Sequence, residues 1–196
     1  MKRIYEYIDL LFKLTKRICT YGVVLQGIFL LFMSFYICAD VMARKLFAYS
    51  IKGSIELSGY ALASMSGWIF SYALLTKAHV RIDVLYSRFP LAIRLILDIA
   101  SYLSLLVFFI PLTYYSYHFF HTTFIRHSVA NTPLHTPLWI PEGLWIAGLI
   151  FFVWVCFISL AKIVALIMKG EASRAHIEGG ISTIEEEIEQ EKAATQ

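Results

Sequence analysis

The ionisable residues best placed to do chemistry lie in a short stretch between two long apolar runs. His79, Arg81 and Asp83 alternate there with apolar residues, and Lys77 precedes them. Alternate side chains share a face in an extended turn, so the Asp83 carboxylate could hold the neighbouring cations. General acid–base chemistry would need a reacting group within hydrogen-bond reach, and no nucleophile or second carboxylate is nearby. We expect these residues to order a loop and contact a partner, and we expect no enzymatic activity.

A second set of possible ligands consists of histidines at and beyond the end of the third apolar run: His118, His121, His127 and His135. His118 and His121 share one helical turn, so they cannot bind opposite faces of a haem. No cysteine or carboxylate completes a zinc site. A haem- or metal-binding electron-transfer subunit is therefore the alternative, and polar aromatic residues at a membrane interface are the favoured interpretation. We expect no catalytic residue, cofactor or metal in this chain.

The composition sets the class of protein. The chain has 196 residues, of which 59% are hydrophobic and 16% charged, which is too apolar for a soluble domain of this length. Runs of about 20 apolar residues span a bilayer as helices. Four such runs predict an all-α integral membrane domain over residues 18–169. The predicted spans are at about 21–46, 55–76, 91–120 and 143–168.

The two ends of the chain predict separate segments. In residues 1–17 charged and apolar side chains fall on opposite helical arcs, which predicts an amphipathic helix lying on membrane lipid. Residues 170–196 are acidic, and we expect a mobile cytoplasmic tail. Lys and Arg are concentrated before span one, between spans two and three and after span four, so both termini should be cytoplasmic. The formal net charge of +3 follows from this bias, and no nucleic-acid partner is expected.

The second apolar run carries a ladder of small residues at every fourth position: Gly59, Ala63, Gly67 and Ser71. Small residues at this spacing let another helix approach closely, which is how helices associate in lipid. The partner could be another span of this chain or a different subunit, and the sequence leaves that open.

Charged residues flank the short turn between the first two runs. Arg44 ends the first run and Glu56 opens the second, with Asp40 one helical turn before Arg44. We predict an ion pair between Arg44 and Glu56 that ties the two helices together, and Asp40 could share the guanidinium. Ser54 is a candidate N-cap of the second helix.

A proline-rich segment leads into the fourth run. Pro137 stiffens an extended path, Trp139 suits the headgroup level and Pro141 suits a helix start. This segment is a candidate docking surface outside the membrane. No span shows an ionisable pair at mid-membrane, as a substrate path would require. Asp98 is the nearest candidate, and we expect it to pair with Arg94.

Together these residues resemble the small, DctQ-like membrane subunit of tripartite ATP-independent periplasmic (TRAP) transporters. The resemblance covers about Tyr21 to Met168. Its matching elements are Arg44, Glu56, the stretch His79-Val80-Arg81-Ile82-Asp83 before Pro90, and the segment Pro137 to Gly143.

The resemblance implies a multi-pass protein of the bacterial inner membrane that works with two partners. One is a large multi-span subunit that holds the substrate and sodium sites. The other is a periplasmic substrate-binding protein that delivers an organic acid, such as a dicarboxylate or sialic acid. The small subunit would bind no substrate itself, would brace the large subunit and would help receive the binding protein.

Overall fold

The computed structural model describes residues 2–77, 89–171 and 175–176. Four helices form most of this part: α1 (Lys2–Phe47), α2 (Ser54–Leu75), α3 (Leu91–Ile125) and α4 (Trp139–Met168). Among the described residues, extended pairing is limited to one isolated bridge in the α3–α4 loop, which comprises residues 126–138. The predicted all-α, four-helix class is confirmed.

Three of these helices, α1, α3 and α4, are long and apolar enough to cross a membrane. The remaining helix, α2, has 22 residues. At about 1.5 Å per residue it is about 33 Å long, close to the thickness of a hydrocarbon core. It is not among the helices that meet the same measure of length and hydropathy, and five of its residues are serine and two are glycine. That α2 also spans the membrane therefore stays a prediction.

The first helix shows no break between the predicted N-terminal segment 1–17 and the first span. Its 46 residues form one helix, about 69 Å long at 1.5 Å per residue. Asp9 contacts Lys162 and the Tyr5 ring contacts Lys169, so the start of α1 runs antiparallel to the end of α4. The expected separate helix is thus the beginning of a longer one, and its position on the lipid surface stays a prediction.

The chain divides into two compact units, and each helix contributes a part to both. Unit one consists of Met1–Thr15, Ala73–Val107 and Val155–Gln196. Unit two consists of Lys16–Tyr72 and Phe108–Trp154, and it contains the α1–α2 turn and the α3–α4 loop.

Aromatic side chains join α2, α3 and α4 in unit two. The ring of Phe109 lies 4.4 Å from that of Phe152 and 6.1 Å from that of Phe70, centroid to centroid. Trp68 stacks on Phe151 at 4.8 Å. Helices in lipid gain little from hydrophobic burial, so close packing of this kind is what holds them together.

Candidate functional site

The turn between α1 and α2 is organised by a buried carboxylate, Asp40, which is only 1% exposed. The backbone N–H of Ile51 donates a hydrogen bond to Oδ1 at 2.7 Å, and the Ser50 hydroxyl donates to the same oxygen at 3.3 Å. The Ser54 hydroxyl donates to Oδ2 at 2.7 Å, and the Arg44 guanidinium also contacts that oxygen. The carboxylate therefore ties the last turns of α1 to the first turn of α2.

The predicted ion pair between Arg44 and Glu56 is not formed. Arg44 pairs with Asp40 instead, because side chains four residues apart on one helix are neighbours. Ser54 begins α2 as expected, but its hydroxyl donates to Asp40. The sequence identified Arg44 as structural and named Asp40 only as a group that could share it.

Glu56 faces the α3–α4 loop. The Tyr60 hydroxyl donates to its Oε1 at 2.8 Å, and the hydroxyls of Thr132 and Thr136 lie beside its carboxylate. Oε2 of Glu56 and Oγ1 of Thr132 are both buried, and neither makes a hydrogen bond of ordinary geometry. Glu56 thus connects α2 to the loop, whereas the sequence prediction connected it to α1.

The α3–α4 loop folds back on itself beside Pro137. The N–H of Ala130 donates to the Thr136 carbonyl at 2.9 Å, and the N–H of Leu138 donates to the Ser128 carbonyl at 3.1 Å. These bonds give the loop a defined path in addition to the stiffness that its prolines provide.

Leu134 holds the loop against the α1–α2 turn. Gly53 has a φ of +85°, a conformation that favours glycine. The Leu134 side chain occupies the space that a Cβ on Gly53 would need. Turn and loop together border an open groove of about 580 Å³, whose charged lining residues are Arg44, Lys52 and Glu56.

Trp139 and Pro141 lie in the first turn of α4. Trp139 is 40% exposed, and its ring meets that of Phe124 edge-on at 5.9 Å. Pro141 is buried, and its missing N–H costs no helical bond because the first N–H groups of a helix have no intrahelical partner. Both residues therefore shape the junction between the loop and the helix.

The small-residue ladder of α2 is divided between two faces. Gly67 and Ser71 are buried, and a Cβ on Gly67 would collide with the backbone of Gly148 in α4. Gly59 and Ala63 are exposed, and a Cβ on Gly59 would have nothing within 4 Å. Residues four apart are rotated by about 40° on a helix of 3.6 residues per turn, so the ladder drifts around α2. The Gly67 half therefore packs inside this chain.

Lys162 is a buried charge that the sequence prediction missed. It is 7% exposed, and its Nζ lies 3.2 Å from Oδ1 of Asp9 and 4.1 Å from the centroid of the Phe12 ring. Lys13 holds the other Asp9 oxygen at 2.7 Å. The available signal was a single lysine within an otherwise apolar run. Lys162 lies in the last third of α4 and fastens the start of α1 to that helix.

Asp98 is also buried, and its Oδ2 lies 3.3 Å from Nδ1 of His176. The Arg94 Nε donates to the Phe89 carbonyl at 2.8 Å, and the predicted pairing of Arg94 with Asp98 stays a prediction. His176 belongs to the predicted mobile tail, 170–196, and is 4% exposed. This position of the tail is therefore packed, and residues 177–196 lie outside the described part of the chain.

The stretch with His79, Arg81 and Asp83 lies outside the described residues, so its ordering of the loop stays a prediction. His118 and His121 are exposed on α3. Within the residues that the structure describes, no three His, Cys, Asp or Glu side chains form a group suited to a metal ion.

The fold and these contacts define a helical membrane protein whose buried polar groups join its own elements. A family model described as "Tripartite ATP-independent periplasmic transporters, DctQ component" matches residues 33–166, more than half of the chain. The chain therefore belongs to the DctQ family, the small membrane subunits of TRAP transporters. Members of this family are components of transporters, so the match does not favour the electron-transfer alternative. No curated protein and no solved structure matches the chain.

Proposed function

We propose that this chain braces the large subunit of a sodium-coupled TRAP transporter in the bacterial inner membrane. It also helps dock the periplasmic substrate-binding protein that delivers an organic acid. Substrate and sodium bind the large subunit, and this chain needs no cofactor. Both termini are cytoplasmic in this arrangement, so the α1–α2 turn and the α3–α4 loop face the periplasm.

The exposed half of the α2 ladder carries the bracing role. Gly59 and Ala63 are small residues on an exposed helix face, and the space beside Gly59 is open. A lipid-facing surface gains nothing from small residues, whereas a second protein helix can approach closely there. The other half of the ladder is already occupied by α4, so the large subunit is the fitting partner for this one.

Replacing Ala63 by leucine tests this assignment. We expect the large subunit recovered with the tagged small subunit in mild detergent to fall about tenfold, which corresponds to about 1.4 kcal/mol. Ala147→Leu makes the same change at an exposed position of α4 and should leave recovery unchanged. The isolated variants should keep the wild-type unfolding midpoint. Normal recovery with Ala63→Leu would remove this face from the interface.

Docking of the binding protein is assigned to the α3–α4 loop and the first turn of α4. A photo-cross-linker at Thr136 should capture the binding protein, and capture of lipid alone would contradict the assignment.

On the opposite side of the membrane, Asp83→Ala should lower assembly with the large subunit without changing substrate preference. A changed preference would show that this stretch acts on substrate rather than on assembly.

A further inference from the structure

The exposed charges near the α1–α2 turn and the α3–α4 loop are all positive. The exposed basic residues at this end of unit two are Arg44, Lys45, Lys52 and Arg126. Of the carboxylates at the same end, Asp40 is buried, and Glu56 and Glu142 are only partly exposed. Glu56 is the one that lines the groove, beside Arg44 and Lys52. An incoming partner would therefore meet a cationic surface, which attracts and orients acidic groups.

The inward orientation of the Asp40 and Glu56 carboxylates has a structural cause. Asp40 is occupied by the donors of the turn, and Glu56 is occupied by Tyr60 and the α3–α4 loop. Arg44 pairs with Asp40, yet its side chain is 52% exposed. Because a guanidinium has five N–H donors, Arg44 keeps donors for a further partner.

The groove of about 580 Å³ gives this surface a defined shape. Much of its lining comes from the two connections, including Lys52, Thr132 and Pro133. The contact between Leu134 and Gly53 holds the connections together. A surface ordered in advance loses less conformational entropy when a partner binds. The groove is lined more by the α1–α2 turn and the α3–α4 loop than by helix faces that lipid would cover. Such a groove suits a protein segment better than a lipid headgroup.

From this charge pattern and shape we infer that the groove receives an acidic surface segment of the periplasmic substrate-binding protein. The inference rests on the proposed function, which places this end of the protein in the periplasm. Short periplasmic connections usually carry few Lys and Arg residues. A partner-binding role accounts for the basic residues that are present here.

Charge reversal at Lys52 tests the inference. The complex of this chain with its large subunit is placed in nanodiscs of zwitterionic lipid, and its affinity for the binding protein is measured at low and high ionic strength. We expect Lys52→Glu to weaken binding about tenfold at low ionic strength and less at high ionic strength, because salt screens exposed charges. Combining it with Arg126→Glu should weaken binding further.

Two matched variants serve as controls. Lys52→Arg preserves the charge and should bind as the wild type does. Lys16→Glu makes the same reversal at an exposed lysine outside the groove and should also bind normally. Equal losses from Lys16→Glu and Lys52→Glu would show a non-specific charge effect and would overturn the inference.

The outcomes separate this inference from the function on which it rests. If the wild-type complex binds the binding protein and Lys52→Glu binds equally well, the groove is not the docking site, although the docking function stands. If the wild-type complex shows no binding, the docking function itself fails. If Lys52→Glu changes only the amount of phosphatidylglycerol that co-purifies, the groove is a lipid site and the inference is wrong.

Discussion

Gly67→Ala is the substitution for which the structure makes the sharpest prediction. The added methyl group would occupy the space taken by the backbone of Gly148, so α2 and α4 would have to separate. Overpacking of this kind costs about 1–3 kcal/mol, and the better helix propensity of alanine returns up to about 1 kcal/mol. Because the clash is with backbone rather than with a flexible side chain, we expect a cost of about 2–3 kcal/mol and a net fall in the free energy of unfolding of about 1–2 kcal/mol.

Two other glycines provide a graded comparison. A Cβ on Gly148 would lie 3.2 Å from the Cα of Gly67, so Gly148→Ala should cost less, below about 1 kcal/mol. A Cβ on Gly59 would meet nothing within 4 Å. Gly59→Ala should therefore be neutral, or should stabilise the protein by up to about 1 kcal/mol.

The assay is equilibrium unfolding of the purified chain in mixed micelles with increasing dodecyl sulfate. Tryptophan fluorescence is a suitable signal because Trp68 lies beside the contact between α2 and α4 and stacks on Phe151 of α4 at 4.8 Å. Equal unfolding free energies for Gly67→Ala and Gly59→Ala would refute the assignment of Gly67 to the contact inside the chain. A loss that appeared only in complex with the large subunit would refute it as well.

Three further experiments test the turn, the loop contact and the buried ion pair. Asp40→Ala should speed tryptic cleavage in the α1–α2 turn several-fold, because its donors lose their acceptor; unchanged cleavage would contradict this. Gly53→Ala should lower the unfolding free energy by about 1–3 kcal/mol. Gly170 also has a positive φ, at +77°, but a Cβ on it would meet nothing within 4 Å. Gly170→Ala should therefore cost less than Gly53→Ala, and equal costs would argue against the Leu134 contact. Lys162→Met should lower the unfolding free energy by about 1–2 kcal/mol by leaving the Asp9 carboxylate less compensated. In a double-mutant cycle Asp9→Asn should recover part of that loss, whereas strict additivity would mean that the two side chains do not interact.

The helical class could be predicted from the sequence because long apolar runs encode membrane helices locally. The predicted spans 55–76, 91–120 and 143–168 correspond to α2, α3 and α4 with ends shifted by at most five residues. The start of α1 could not be predicted in this way. Charged residues in segment 1–17 lower the hydropathy of the chain, yet they do not end the helix.

The residues of the site were recognisable by type, but their partners were not. Arg44 and Glu56 stood out as charges at helix ends, and the structure gives them Asp40 and Thr132 as neighbours. The Lys162–Asp9 pair joins residues far apart in the chain. Such pairs depend on which helices lie side by side, and neither hydropathy nor spacing encodes that arrangement.

The α2 ladder shows most directly what each level determined. The sequence alone determined that α2 carries small residues suited to close helix contact and that the chain resembles TRAP small subunits. The tertiary structure alone decided that Gly67 meets Gly148 while Gly59 stays open. The physical reason is geometric: a four-residue spacing rotates by about 40° per step, so identical residues reach different neighbours once the helices have packed.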